Sequence, residues 1–281
     1  AVDARKLSPW SHVVAHICGQ ATHAVGLNDI CDSLDLNRSS LRAIRGATPP
    51  KRNTLSHANR TRDSRMAQAL YWQVAKHLCA QVPSFASGKI RSGYLRRFRT
   101  AIHAVDSTTI HLVANCMDWA KHRRRKAAAK CHMNLNLQSM LPCYAVVDTA
   151  NITDNQQARE VCSALQDGEI VVFDKAYVDF EHLNDLDERG VCWVSRSKKN
   201  MKCRVAEARE PTHSRVLSDQ VIELADYMTK KKYTKRFRLV TAIVEIEGKD
   251  QTMTFITNNL LWSAWSVAEL YRARWEIEIF F

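Results

Sequence analysis

Residues 169–174 read Glu-Ile-Val-Val-Phe-Asp, an apolar run of four that ends on an acid. A run apolar at every position, rather than at alternate ones, is the pattern of a strand buried on both faces. Ligands of open α/β sheets bind beside the carboxyl ends of such strands, so Asp174 stands where a carboxylate can work. Lys175, Ala176 and Tyr177 begin the outgoing turn. Phe180 to Arg189 reads as a helix stopped by Gly190, and residues 191–196 (VCWVSR) as a further strand.

Upstream, in AIHAVDSTTIHL (residues 101–112), Ile102, Ala104 and Asp106 fall on one face of a strand, His103 and Val105 on the other. A carboxylate within an apolar strand is costly unless it is paired or bound to a cation. Asp106 is therefore a candidate metal ligand; an Asp that merely closes a strand is the plainer alternative. Met133, Leu135 and Leu137 alternate as a second strand and CYAVVDT (143–149) as a third, which suggests an antiparallel meander led by the Asp106 strand. Ala158 to Leu165 reads as a helix entered through Asn151 to Asn155. Asp148 closes a shorter strand and Asp154 belongs to the helix start, so neither is taken as a catalytic acid. The order β-β-β-α-β-α-β is that of an RNase H-like core. VIEL, RLVTAIVEI and TMTFIT then read as a β-rich insertion over 198–257. The expected class is α/β (α+β).

Trp10 to about Ala80 reads as several short helices. His12, Val13, His16 and Ile17 form one stripe, and Ile30, Leu34 and Leu36 another. Asn37 or Ser39 can cap a helix holding Leu41 and Ile44, Asn53 caps the next, and Leu70, Tyr71, Val74 and Leu78 line the last. Arg38, Arg42, Arg45, Lys51, Arg52, Arg60, Arg62 and Arg65 lie along these helices. That suits a helical DNA-binding module, with a solvated basic face as the alternative. Pro83 to Gly93 reads as a linker, giving a helical domain over 1–92 and a catalytic domain over 93–281.

The chain has 41 Lys and Arg against 29 Asp and Glu, a formal charge of +12, which favours a polyanionic partner. Its nine Cys form no CxxC, so neither a disulfide framework nor a zinc site is expected. The sequence holds no long apolar run and no signal-peptide pattern, so the expectation is a cytoplasmic protein with no membrane partner. It begins with Ala1 and stops at Phe281 inside a helical pattern, so a fragment is expected.

The last residues, AELYRARWEIEIFF (268–281), set Tyr271, Arg274 and Glu278 at i, i+3 and i+7 on one helical face, with Leu270, Ile277 and Phe281 on an adjacent apolar one. An intrahelical ion pair is the bland reading of Arg274 and Glu278. The chemical reading joins Glu278 to Asp106 and Asp174. Three converging carboxylates repel one another and take up hard cations, Mg²⁺ or Mn²⁺. Two such ions, about 4 Å apart, serve in-line phosphodiester displacement. The densest positive run, AKHRRRKAAAKCH (120–132), offers Arg123, Arg124, Arg125, Lys126 and Lys130 on a loop or strand edge to grip phosphates.

AVDSTTI, VVFDKAYVDF and ELYRARWEIEIFF together resemble the three acidic-motif regions of DDE-type bacterial transposases, specifically the insertion sequence 4 family with its Tyr-Arg-Glu-Lys signature. AKHRRRKAAAKCH, VLSDQVIEL and FITNNL are similar to family sequence as well, so the resemblance spans roughly Leu27 to Phe281. Tyr271, Arg274 and Glu278 match the signature; its Lys would lie beyond Phe281. The resemblance implies cut-and-paste cleavage and joining of DNA at the terminal inverted repeats of an insertion sequence. Asp106, Asp174 and Glu278 would be its metal-binding triad, and Tyr271 and Arg274 would contact the DNA backbone. Assembly on two DNA ends implies a homodimer. The alternative is a truncated, catalytically inactive DNA-binding remnant.

Overall fold

Ser8 opens the first helix by accepting a hydrogen bond from the Ser11 amide at 2.9 Å, with Pro9 fixing the first turn. The computed structural model describes residues 7–83, 94–112, 121–122, 126–149, 153–246 and 248–281. The chain divides into two compact units, Ala1–Leu78 and Cys79–Phe281. The expected linker lies, from residue 84 to residue 93, outside the described residues.

The first unit is helical: α1 (Pro9–Ala21), α2 (Leu27–Leu36), α3 (Arg38–Ala43), α4 (Arg52–Thr61) and the start of α5 (Arg65–Gln81). Its core gathers Val14, Ala15, Ile30, Leu34, Leu41 and Leu55. The buried face of α1 keeps only His12 of the expected stripe: Ser11, His12, Val14, Ala15 and Gly19 turn inward and Ile17 stays 58% exposed. Gly19 decides this, since a Cβ there would meet the Ile30 side chain at 2.7 Å; only glycine lets α2 approach so closely. Leu36 and Ile44 are likewise exposed, and α5 buries none of its residues. Asn53 lies inside the first turn of α4 behind Lys51, the N-cap. Asn37 N-caps α3 but spends its side-chain amide on the Ser33 carbonyl at 2.8 Å.

The second unit is a mixed α/β structure built on one large sheet. Its described strands are β1 (Ile102–Leu112), β2 (Lys121–His122), β3 (Lys126–Asn136), β4 (Leu141–Thr149), β5 (Ile170–Phe173), β6 (Cys192–Arg196), β7 (Cys203–Arg209), β8 (Val216–Leu224), β9 (Phe237–Ile246) and β10 (Lys249–Thr257). Their order is β2-β3-β1-β5-β6-β10-β9-β8-β7, with β4 also on β3. β1, β3 and β4 pair antiparallel, whereas β1, β5 and β6 run parallel. β10 joins β6 antiparallel, so the meander β7–β10 continues the same sheet.

Alternation along the strands gives the sheet two buried faces. On one, Ile102, Ala104, Ile170, Val172 and Phe255 pack under α9 (Ala264–Ala273) and α10 (Trp275–Phe280), through Val267, Leu270 and Ile277. On the other, Val105, Val171, Phe173 and Trp193 meet α6 (Asp154–Val161) and α7 (Phe180–Glu188) through Val161, Leu183 and Leu186. Between β9 and β8 in sequence lies α8 (Tyr227–Lys232), capped by Asp226. Gly190, at φ 73°, returns α7 to β6; a Cβ there would fall 1.9 Å from Asp167 Oδ1.

Candidate active site

Asp106 and Asp174 become neighbours through strand register. Val105 pairs with Phe173 in the parallel β1–β5 ladder, and the next residue on each strand is the acid. Both continue the face of Ala104 and Val172, the one covered by α9 and α10. Asp174 follows β5 directly and N-caps a short 3₁₀ turn, Lys175–Tyr177. The two carboxylates thus stand side by side where the parallel pairing of β1 with β5 ends, Asp106 within β1 and Asp174 just past β5.

The terminal helix pair closes over them. Ser263 N-caps α9 by accepting from the Ser266 amide at 3.1 Å. The expected single helix changes pitch at Arg274: its amide bonds the Tyr271 carbonyl at 3.0 Å and its carbonyl takes the Ile277 amide at 3.0 Å, both 3₁₀-type links. Tyr271 and Arg274 are buried, and Phe281, expected on the apolar face, is exposed. The Tyr271 hydroxyl donates to Asp174 Oδ1 at 3.1 Å. Arg274 donates through one terminal nitrogen to Asp106 Oδ2 and through the other to Glu278 Oε1 at 2.6 Å. The guanidinium also lies 5.5 Å from the Tyr271 ring and 5.1 Å from the Trp275 ring, while its Nε is buried without a partner.

Burial pushes the Asp106 carboxyl above its ordinary pKa; Arg274 and the Ser107 amide pull it down, and Glu278 and Asp174 push it up again. Burial also drives the Tyr271 phenol far up, so it remains a neutral donor. Two of the sequence-proposed acids, Asp106 and Glu278, therefore share one guanidinium, and the third, Asp174, sits beside Asp106 under the Tyr271 hydroxyl. They do not form a ready cage: among the described residues no three His, Cys, Asp or Glu side chains are placed to hold a metal ion. The donor set of Asp106, Asp174 and Glu278 is nonetheless all carboxylate oxygen, which suits a hard divalent ion.

The basic run behaves differently. Arg123, Arg124 and Arg125 lie outside the described residues, as does the side chain of Lys126. Lys130 pairs with Thr109, three residues beyond Asp106, and so points to the opposite face; its ammonium bonds Asp154 Oδ1 at 2.8 Å. Asp154 also accepts from Ser107 Oγ at 2.7 Å, which a reading of it as a mere helix start missed. Nothing local reveals these contacts, since they join residues 24 or more apart. Trp193 is fully buried, Trp262 packs edge-on against Phe98, and Trp265 stacks on His213 with ring centres 4.1 Å apart. In the first unit, Arg38, Arg42, Lys51, Thr48 and Thr54 line an open pocket of about 570 Å³. Arg38 is tied to Asp35, and Arg65 to Asp63.

A two-acid strand pair with a third acid on a covering helix defines a carboxylate-centred α/β protein. Residues 97–281 match the Transposase DDE domain family, and the chain belongs to that family. It is 28% identical over 219 residues to the "Probable transposase for insertion sequence element IS5377" of Geobacillus stearothermophilus, covering 78% of this chain and 56% of that protein. It is also 28% identical over 207 residues to the "Putative transposase y4zB" of Sinorhizobium fredii, covering 72% and 56%. The chain thus spans a little over half the length of these relatives. Among solved structures, a piggyBac transposase synaptic complex with hairpin DNA aligns at 8% identity and a TM-score of 0.47, covering 96% of this chain and 56% of that one. Among the described residues no helix is long and apolar enough to cross a membrane.

Proposed function

We propose that this chain carries the catalytic centre of an insertion-sequence transposase that cleaves and joins DNA at terminal inverted repeats. The observation that carries the reading is the adjacency of Asp106 and Asp174 just past the last parallel pair of β1 and β5, with Arg274 drawing Glu278 to Asp106. The strand order β4-β3-β1-β5-β6, antiparallel then parallel, supports an RNase H-like core, with residues 198–257 as its β-rich insertion. Tyr271, Arg274 and Glu278 support membership of the insertion sequence 4 subgroup with its Tyr-Arg-Glu-Lys signature.

Asp106, Asp174 and Glu278 would hold Mg²⁺ or Mn²⁺, two ions. When bound, such ions lower the pKa of an attacking water or hydroxyl and stabilise the leaving oxygen. The protein's part is to hold three oxygen donors on one sheet face and keep a fixed donor, Tyr271, on Asp174. Arg274 presents a planar fork that can leave the carboxylates to grip a DNA phosphate. The helical residues 1–92, with the pocket of Arg38, Arg42 and Lys51, would bind the DNA ends, and a homodimer would bring two ends together in the bacterial cytoplasm.

The test is nicking of end-containing duplex DNA with Mn²⁺. Metal-dependent nicking by the wild type, abolished in Asp106→Ala, Asp174→Ala and Glu278→Ala, supports the reading. Salt-sensitive binding with no cleavage would instead support a DNA-binding remnant.

A further inference from the structure

Behind the strand that carries Asp106 lies a second polar cluster that the proposed chemistry does not use. It forms on the opposite sheet face, around Asp154 at the first turn of α6. Asp154 Oδ1 accepts from Ser107 Oγ at 2.7 Å and from Lys130 Nζ at 2.8 Å, and His132 Nδ1 stands 3.6 Å away. His132 Nδ1 in turn meets the Tyr177 hydroxyl at 3.2 Å, so the imidazole stands between Asp154 and Tyr177. His132 and Tyr177 are buried; the Asp154 and Lys130 side chains are 19% and 17% exposed. Burial works against the Asp154 anion, but Lys130 and Ser107 outweigh it and hold its pKa below the ordinary value.

The members of this cluster are placed with respect to the two strand acids. Ser107 is the residue after Asp106, and its amide donates to Asp106 Oδ1 at 2.8 Å. Tyr177 closes the 3₁₀ turn begun at Asp174, its amide bonded to the Asp174 carbonyl at 3.0 Å. Lys130 and His132 come from β3, the antiparallel partner of β1. Asp154 thus holds the segment leaving Asp106 through Ser107 and the neighbouring strand through Lys130, and reaches the segment leaving Asp174 by way of His132 and Tyr177. Main-chain pairing of β1 with β5 stops at Val105 and Phe173, one residue short of the acids. Beyond that point, among the described residues, these side-chain links connect the two segments on this face.

We propose that Asp154 is a positioning residue, tying the backbone after Asp106 to the backbone after Asp174 and so fixing the spacing of the two carboxylates. The proposal rests on the reading of Asp106 and Asp174 as ligands of divalent ions. Residues that orient metal ligands from behind cost about tenfold or more in metal affinity when removed. Lys130 neutralises Asp154, whereas Ser107 carries its grip to the active strand, so the two arms are separable.

The experiment measures Mn²⁺ binding to the full chain by calorimetry, alongside DNA affinity and thermal unfolding, for the wild type, Asp154→Ala, Asp154→Asn, Ser107→Ala and Lys130→Met. Asp154→Ala is expected to weaken Mn²⁺ binding about tenfold with DNA affinity unchanged. Asp154→Asn, which keeps an acceptor for Ser107, is expected to restore most of the loss. Ser107→Ala should reproduce part of the defect even where Asp154→Ala fails to fold. Lys130→Met should lower the unfolding temperature more than it changes ion affinity. Wild-type affinity in Asp154→Ala and Ser107→Ala, or no rescue by asparagine, would overturn the positioning role alone. A wild type that binds no Mn²⁺ would bring down the metal reading itself, and the role of Asp154 with it.

Discussion

Arg274 and Asp106 form an ion pair across the face of the sheet although 168 positions separate them in the chain. The same guanidinium holds Glu278, so one cation neutralises two acids, the first of them largely dehydrated. Removing one partner of a buried pair leaves the other charge uncompensated, at a cost of about 3 kcal/mol. Arg274→Gln should therefore lower the unfolding free energy by that order in denaturant titrations, and added Mn²⁺ should recover part of it. Arg274→Lys should fall between, since an ammonium lacks the planar fork that reaches both acids. A fully stable Arg274→Gln would show that the acids need no counter-cation.

The hydroxyl of Tyr271 is its only polar atom and is spent on Asp174. The ring is packed by Phe255 at 4.9 Å and Trp275 at 5.8 Å, so its position does not depend on that bond. Tyr271→Phe should cost about 1 kcal/mol with circular dichroism unchanged. A loss several times larger would mean the hydroxyl organises more than Asp174.

Arg238 on β9 and Asp219 on β8 form a second buried pair, with Nε to Oδ1 at 2.6 Å, and Arg238 also bonds the Trp262 carbonyl one residue before the N-cap of α9. Asp219→Ala should destabilise by about 3 kcal/mol, whereas Asp219→Leu combined with Arg238→Met should restore most of that. Urea unfolding of the two single variants and the double variant gives the comparison. Additive losses in the double variant would refute the pairing.

Burial, reinforced by Arg159, holds His182 down to about 4, well under its usual 6.5. The folded state therefore binds fewer protons than the unfolded chain between these values, so this contribution to stability is present above pH 6.5 and is lost as pH falls through 4. The full span is roughly 3 kcal/mol. His182→Leu should flatten the decline between pH 6.5 and 4 in pH-dependent unfolding; an unchanged slope would assign the decline to other groups.

The contrast between what was legible and what was not follows from range. Asp174 could be read because it ends an apolar run and Asp106 because it interrupts one face of a strand, and Tyr271, Arg274 and Glu278 because helical spacing alone puts them on one face. The inward face of α1 was misread because it depends on Ile30 pressing against Gly19, a contact between helices. The role of Asp154 was hidden for the same reason: its partners Ser107 and Lys130 arrive by strand register, which hydrophobic pattern does not reveal. The change of pitch at Arg274 has no mark in the sequence, where a run of good helix formers continues through it.

The long excursion through β7 to β10, lying between Asp174 and the helix pair in the chain, also dictates a timetable. On the ribosome, β1 and β5 emerge early enough to pair, while Arg274 and Glu278 follow only after β7 to β10. Until α9 docks, a nascent chain carries two exposed acids and no means of drawing the third to them. The ion pair that joins Arg274 to Asp106 can therefore form only after β7 to β10 have been made.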